Sequence, residues 1–176
     1  MQYVCLTLSL LLFSFQIFSA VETHTLDKKI KVTVSVPEGW ESAENLFGIP
    51  LTVLGPWANE SRPVMTFLFT HLTTKKFSED EFQKLFKDFQ TDKDEWVKSH
   101  KGELLKYEPT TKVELRPDLT GHFIGAEFKM NNIVFIERSY YLYCKDQVYN
   151  LKYSIRDEHR PYLPTLQKMV GEFKCE

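Results

Sequence analysis

No sign of charge is in excess in this chain of 176 residues: 22 Lys and Arg stand against 24 Asp and Glu, a formal net charge of -2. That balance excludes a basic nucleic-acid-binding surface as the default and excludes an acidic disordered tail. Beyond the N-terminus no apolar run is long enough for a multi-pass membrane protein. Repeats, low-complexity segments and interdomain linkers are absent. So are G-x-G-x-x-G, a Walker loop, H-E-x-x-H and G-x-S-x-G, which removes the sequence signatures of dinucleotide binding, P-loop chemistry, zinc proteolysis and the nucleophile elbow. The five histidines, His24, His71, His100, His122 and His159, are scattered, with no two at ligand spacing. No metal, cofactor or catalytic set is therefore assigned.

What is present is apolar and aromatic. At 43% hydrophobic and 14% aromatic the chain is too greasy to stay disordered. Val4 to Phe18 is an almost unbroken uncharged run that stops at Ser19-Ala20, ahead of Glu22, Asp27 and Lys28. About 15 apolar residues followed by small ones read as a signal peptide over residues 1–20, cut after Ala20 or Ser19. The n-region has no Lys or Arg, so an uncleaved anchor stays as the alternative. Residues 21–176 then form a single domain, large enough to bury roughly two-thirds of its unfolded surface. Of three cysteines, Cys5 leaves with the leader; Cys144 and Cys175, an even pair in an exported chain, read as one disulfide. A reactive thiol would need an electropositive setting or a C-x-x-C partner, and a metal pair a His at ligand spacing; neither is present.

Ile30 to Val36 alternates strictly and predicts a half-buried strand, closed by Pro37-Glu38-Gly39 before Trp40. Leu51 to Leu54 and Val64 to Leu72 predict two more strands, separated by a turn-rich loop that holds Trp57 and the sequon Asn59-Glu60-Ser61. Ser78-Glu79-Asp80-Glu81 is a capping box, opening a helix to about Ser99 with Phe82, Leu85, Phe86, Phe89 and Trp96 at helical spacing. Thr111 to Leu115 alternates weakly. His122 to Lys129, Ile133 to Cys144 and Gln147 to Ile155 predict a meander. If Asn131-Asn132 and Lys145-Asp146 are two-residue turns, Phe128 faces Phe135, Ala126 faces Glu137, Leu142 faces Tyr149 and Tyr140 faces Leu151. Both sheet faces come out partly apolar, so each needs a cover. Tyr162, Leu166, Met169, Val170 and Phe173 supply a second helix, stapled across the more apolar face by Cys144 and Cys175. The expected class is α+β: an antiparallel meander covered by a long central helix and a C-terminal helix, an α/β/α sandwich.

The alternating strand that ends in Val36-Pro37-Glu38-Gly39-Trp40, followed by two strands, a long helix, a meander and a terminal helix, resembles the PsbP-like fold over about residues 28 to 174. That group includes an extrinsic photosystem subunit, a Ran-binding nuclear import factor and small exported bacterial proteins. The resemblance implies a binding scaffold with no common catalytic residues, and little function transfers with the fold. A photosynthetic role would need an organellar transit sequence, which the uncharged, Ser-poor leader does not match.

Two groups of residues are candidate contacts. Glu127 and Arg138 fall as diagonal neighbours on one sheet face with Tyr153 opposite Arg138, either an anion clamp or a structural Glu-Arg pair with its stem packed on Tyr153. Glu137 falls on the other face, so the three cannot form one catalytic cluster. Trp57 in its polar loop is either an interface anchor or a plug, and Phe47, in the preceding loop, extends one or the other. The expectation is an exported, non-enzymatic domain that binds another extracytoplasmic protein. It would have no nucleic-acid partner and no membrane segment after signal cleavage. The alternative is a carrier of a small hydrophobic or anionic ligand between sheet and helix near Tyr140, Tyr153 and Arg138. A third class, an enzyme with an unfamiliar site, would need titratable groups converging in a cleft.

Overall fold

Val32, Val34 and Val36 put three β-branched side chains on one face of a strand, and all three are buried. The structure, a computed structural model, describes residues 19–26, 30–70, 77–144 and 147–175. The leader through residue 18, residues 71 and 72 of the third predicted strand, and the Lys145-Asp146 turn lie outside them. In chain order the elements are β1 (Ser19–Leu26), β2 (Ile30–Pro37), β3 (Glu41–Leu46), β4 (Ile49–Leu54), β5 (Val64–Phe69), α1 (Glu79–Ser99), β6 (Glu103–Arg116), β7 (Leu119–Met130), β8 (Ile133–Cys144) and β9 (Gln147–Arg156). A 3₁₀ turn over Asp157–Tyr162, α2 (Leu163–Glu172) and β10 (Lys174–Cys175) complete the chain.

Two antiparallel sheets result, one of seven strands ordered β3-β4-β5-β9-β8-β7-β6 and one of three ordered β1-β2-β10. The meander has the expected register: Phe128 pairs with Phe135, Ala126 with Glu137, Leu142 with Tyr149 and Tyr140 with Leu151. Asn131 and Asn132 both take positive φ, 48° and 64°, as a two-residue type I′ turn requires. Pro37 to Trp40 is a tight turn in which the Trp40 amide donates to the Pro37 carbonyl and Gly39 takes φ 77°.

The two faces of the large sheet are covered differently. On one, Ile136, Tyr140, Leu142, Leu151, Tyr153 and Ile155 pack against α2 and the small sheet, and Leu166, Met169, Val170 and Phe173 of the C-terminal segment are buried there. Cys144 of β8 bonds Cys175 of β10, with Cα atoms 6.2 Å apart, so the disulfide joins the two sheets. On the other face lies α1. Its capping box is formed: the Ser78 hydroxyl accepts from the Glu81 amide and the Glu81 carboxylate from the Ser78 amide. Phe82 and Val97 are its buried residues.

Three features go beyond the sequence pattern. Leu51 to Leu54 is half of a hairpin: β3 pairs with β4, and its polar sequence Glu-Ser-Ala-Glu-Asn-Leu hides an edge strand. The weak Thr111–Leu115 segment is the middle of a 14-residue strand whose alternation is broken by register shifts at Leu104/Lys106, Glu108/Thr111 and Glu114/Arg116. β2 stands outside the main sheet, paired with β1 and β10 in the second one.

Candidate functional site

Gly125 explains the geometry around Arg138. It lies opposite Arg138 on β8 and opposite Glu108 on β6, and with no side chain between them the guanidinium reaches across. Arg138 Nε and Nη2 donate to Glu108 Oε1 at 3.0 and 2.8 Å, Nη1 donates to the Tyr153 hydroxyl at 3.3 Å, and the Phe123 ring lies 5.9 Å below. Burial opposes the guanidinium charge, but Tyr153 and Glu108 outweigh it and raise its pKa. Burial also raises Tyr153, and Tyr140 beside it reinforces the shift.

Glu127 does not bond Arg138. It takes Lys106 Nζ at 3.1 Å and Arg160 Nη2 at 3.3 Å. The partners come from β6 and the 3₁₀ turn, which the sequence pattern did not resolve. Desolvation works against the ionised Glu127, yet these two cations hold its carboxyl below the ordinary range. Every charge in this cluster therefore has an internal partner. Tyr140 and Tyr153 are buried with ring centroids 6.3 Å apart, packed into the core where the carrier reading required room.

The room is on the other face. An open groove of about 510 Å³ lies between the second half of α1 and the ends of β7, β8 and β9. Its walls include Trp96, Phe128 and Phe135, the last two stacked at 5.5 Å. On its floor Glu137, 5% exposed, takes Lys93 at 2.9 Å and Lys152 at 3.1 Å. Further along the same face Phe82 stacks on His122 at 4.0 Å, and the Tyr143 hydroxyl, itself accepting from the Phe77 amide, lies in hydrogen-bond contact with His122 Nδ1 at 2.7 Å. Burial lowers the His122 pKa; Glu79 opposes the shift and Lys112 adds to it.

Trp57 is no plug: it is 69% exposed, with Arg62 5.3 Å from its ring centre. Its loop is pinned by Ser61, whose hydroxyl lies 2.7 Å from both His159 Nε2 and Glu158 Oε1. This was not legible in the sequence, since the partners lie 97 and 98 positions from Ser61. It is not a triad geometry, because Glu158 accepts from the serine while the buried His159 Nδ1 has no partner to orient it. Phe47, 95% exposed with φ 52°, tips the β3–β4 hairpin. It and Trp57 lie beyond opposite ends of β4, roughly 17 Å of strand, so they do not form one patch. Among the described residues no His, Cys, Asp and Glu side chains gather as a metal site, and no helix is long and apolar enough to cross a membrane.

No family model and no curated protein matches the chain. Solved structures do. The solution structure of cyanobacterial PsbP (CyanoP) from Synechocystis sp. PCC 6803 superposes with a TM-score of 0.60 at 7% identity, covering 90% of this chain and 94% of that one. The crystal structure of LpqN, involved in cell envelope biogenesis of Mycobacterium tuberculosis, gives 0.59 at 11% identity, with 91% of each chain covered. Seven antiparallel strands between a long helix and a disulfide-tied terminal helix, matched over nine-tenths of two such chains at identities that carry no residue-level message, give this protein the PsbP-like fold.

Proposed function

We propose that this protein is an exported, non-catalytic binding module that engages an extracytoplasmic protein through an exposed aromatic side chain. The observation that carries the reading is Trp57, held out to solvent on a loop anchored at Ser61 and Arg62. A Trp on a rigid support gives up little conformational freedom when it enters a partner's socket. Phe47 at its hairpin tip is a second anchor at the other end of β4. Export is supported by the apolar leader and the Cys144–Cys175 disulfide, and it agrees with a structural neighbour involved in cell envelope biogenesis. The non-catalytic reading is supported by the charges around Arg138, which neutralise one another rather than converge on a cleft. The test is capture of partners from the native extracytoplasmic fraction by wild type, Trp57→Ala and Phe47→Ala, all shown folded by circular dichroism. The reading expects a partner retained by wild type and lost with Trp57→Ala. Equal capture by all three overturns it, as would a turnover abolished by Glu127→Gln or Arg138→Ala.

A further inference from the structure

The groove under α1 exists because one helix cannot cover seven strands. α1 packs on β6 and β7, while Lys152 and Ser154 of β9 line the groove with Lys152 only partly covered and Ser154 exposed. A cleft of about 510 Å³ is in the size range of sites for small organic molecules.

Its charges are unevenly placed. Glu137 is the buried carboxylate of the floor and takes two ammonium groups, Lys93 and Lys152. With Asp92 of α1 the lining carries two cations and two anions, but Asp92 is exposed to water, so away from bulk solvent the two lysines share Glu137 alone and their charge is only partly offset there. The two lysines are not equivalent. Lys93, its side chain 12% exposed, sits 4.9 Å from the ring centres of both Trp96 and Phe128, and so is committed to the protein. Lys152, its side chain 37% exposed, lines the groove and, among the described residues, pairs with Glu137. The apolar surface beside it is aromatic: Phe135 stacks on Phe128 at an interplanar angle of 11°, and Trp96, 40% exposed, meets Phe128 edge-on.

From these features we infer that the groove is a binding site for a small amphipathic anion, a planar apolar body lying against Phe135 and Trp96 with one carboxylate paired to Lys152. This site is independent of Trp57 and of the protein-binding reading above. It also differs from the Tyr140–Tyr153–Arg138 region in being on the opposite sheet face, open, and provided with a cation that the fold does not fully neutralise.

Three isosteric probes separate charge from shape: 2-naphthoate, neutral 2-naphthamide and cationic 2-(aminomethyl)naphthalene, titrated into the full protein by calorimetry. Naphthoate is expected to bind one-to-one, about tenfold tighter than the amide, and the cation weakest, the margin being that of one charge-assisted contact. Raising the salt should weaken naphthoate and leave the amide unchanged. Lys152→Gln should remove the preference for the acid. Ser154→Asp, at an exposed position directly opposite Glu137 in the ladder, should do the same without touching a lysine. Trp57→Ala should bind naphthoate like wild type, so failure of the protein-partner reading and failure of this site give different patterns. Equal affinity for acid, amide and cation, no saturable naphthoate binding, or a preference for the acid that survives both variants would overturn the assignment.

Discussion

The two faces of the seven-stranded sheet carry similar numbers of aromatic rings but close in opposite ways. The α2 face is sealed by a helix and a second sheet. Tyr149, Leu151, Tyr153 and Phe173 in its core are at most 2% exposed. The α1 face is roofed by a single amphipathic helix with two buried residues, and its sheet residues mix Phe128 and Phe135 with Glu137, Lys152 and Ser154. One side is a hydrophobic core tied by a disulfide; the other is an open groove floored by ion pairs. Stability should reside mainly in the first and ligand chemistry in the second.

The widest gap between the faces should appear on truncating one ring from each. Phe173 touches the rings of Phe67 and Tyr149 and has no exposed surface. Phe173→Ala should cost about 3–5 kcal/mol in urea unfolding, the transfer cost plus an unfilled cavity. Phe135→Ala removes a ring that is part of an open groove wall, and should cost about 1 kcal/mol. Similar losses at both positions would break the contrast.

Next in size is the cross-link. Replacing Cys144 and Cys175 by Ala frees a loop of 31 residues and should cost about 3–4 kcal/mol in the chain-entropy account. Because the bond joins the two sheets on the α2 face, hydrogen exchange should rise in β2 and α2 well before α1. Uniform exchange across the molecule would show that the faces are not separate in stability.

On the α1 face the corresponding test is electrostatic. Glu137→Gln leaves Lys93 and Lys152 facing each other without their common anion. A fully buried pair broken this way would lose several kcal/mol; with both lysines in partial contact with water, about 1–2 kcal/mol is expected. Adding Lys93→Met should recover most of that loss, and a double-mutant cycle reads the coupling directly. No recovery would mean that Glu137 acts through packing alone.

What was legible in the sequence follows the same division. The meander could be written down residue by residue because assuming two-residue turns at Asn131-Asn132 and Lys145-Asp146 fixes the register by arithmetic. The α2 stripe and the Cys144–Cys175 pair lay on that same face, so independent signals agreed. Arg138 was assigned the wrong carboxylate because its true partner, Glu108, is on β6. Three register shifts there break the alternation, so neither Glu108 nor Lys106 could be placed on a face. The gap that lets Arg138 reach Glu108 is Gly125, an absence of side chain that no hydrophobic pattern registers. The groove was hidden for another reason. The register alone puts Lys152 on the sheet face of Glu137, but Lys93 reads as an outward helix charge; only the position of α1 over β6 and β7, a tertiary fact, turns it onto the same carboxylate.

The smallest expected effect separates the faces by pH. His122 is buried beneath Phe82 on the α1 face, and desolvation holds its pKa below the usual 6.5, Glu79 offsetting part of that shift and Lys112 adding to it. The unfolded chain, with its imidazole in water, takes up a proton near pH 6.5 while the folded protein still resists it. Between the unfolded and the lower folded value the unfolded state binds more protons, so this residue's contribution to stability is complete above about pH 6.5 and declines as pH falls through that window. Glu127 titrates lower, so its loss follows only on further acidification. Unfolding free energies measured in urea between pH 7.5 and 5.5 should therefore fall for wild type. His122→Asn retains a hydrogen-bonding partner for the Tyr143 hydroxyl but has no titrating ring, and should fall less over the same range. Parallel pH profiles for the two proteins would mean that the α1 face lets water and protons reach His122 as freely as an unfolded chain does, and the groove would then have to be drawn larger than the helix position implies.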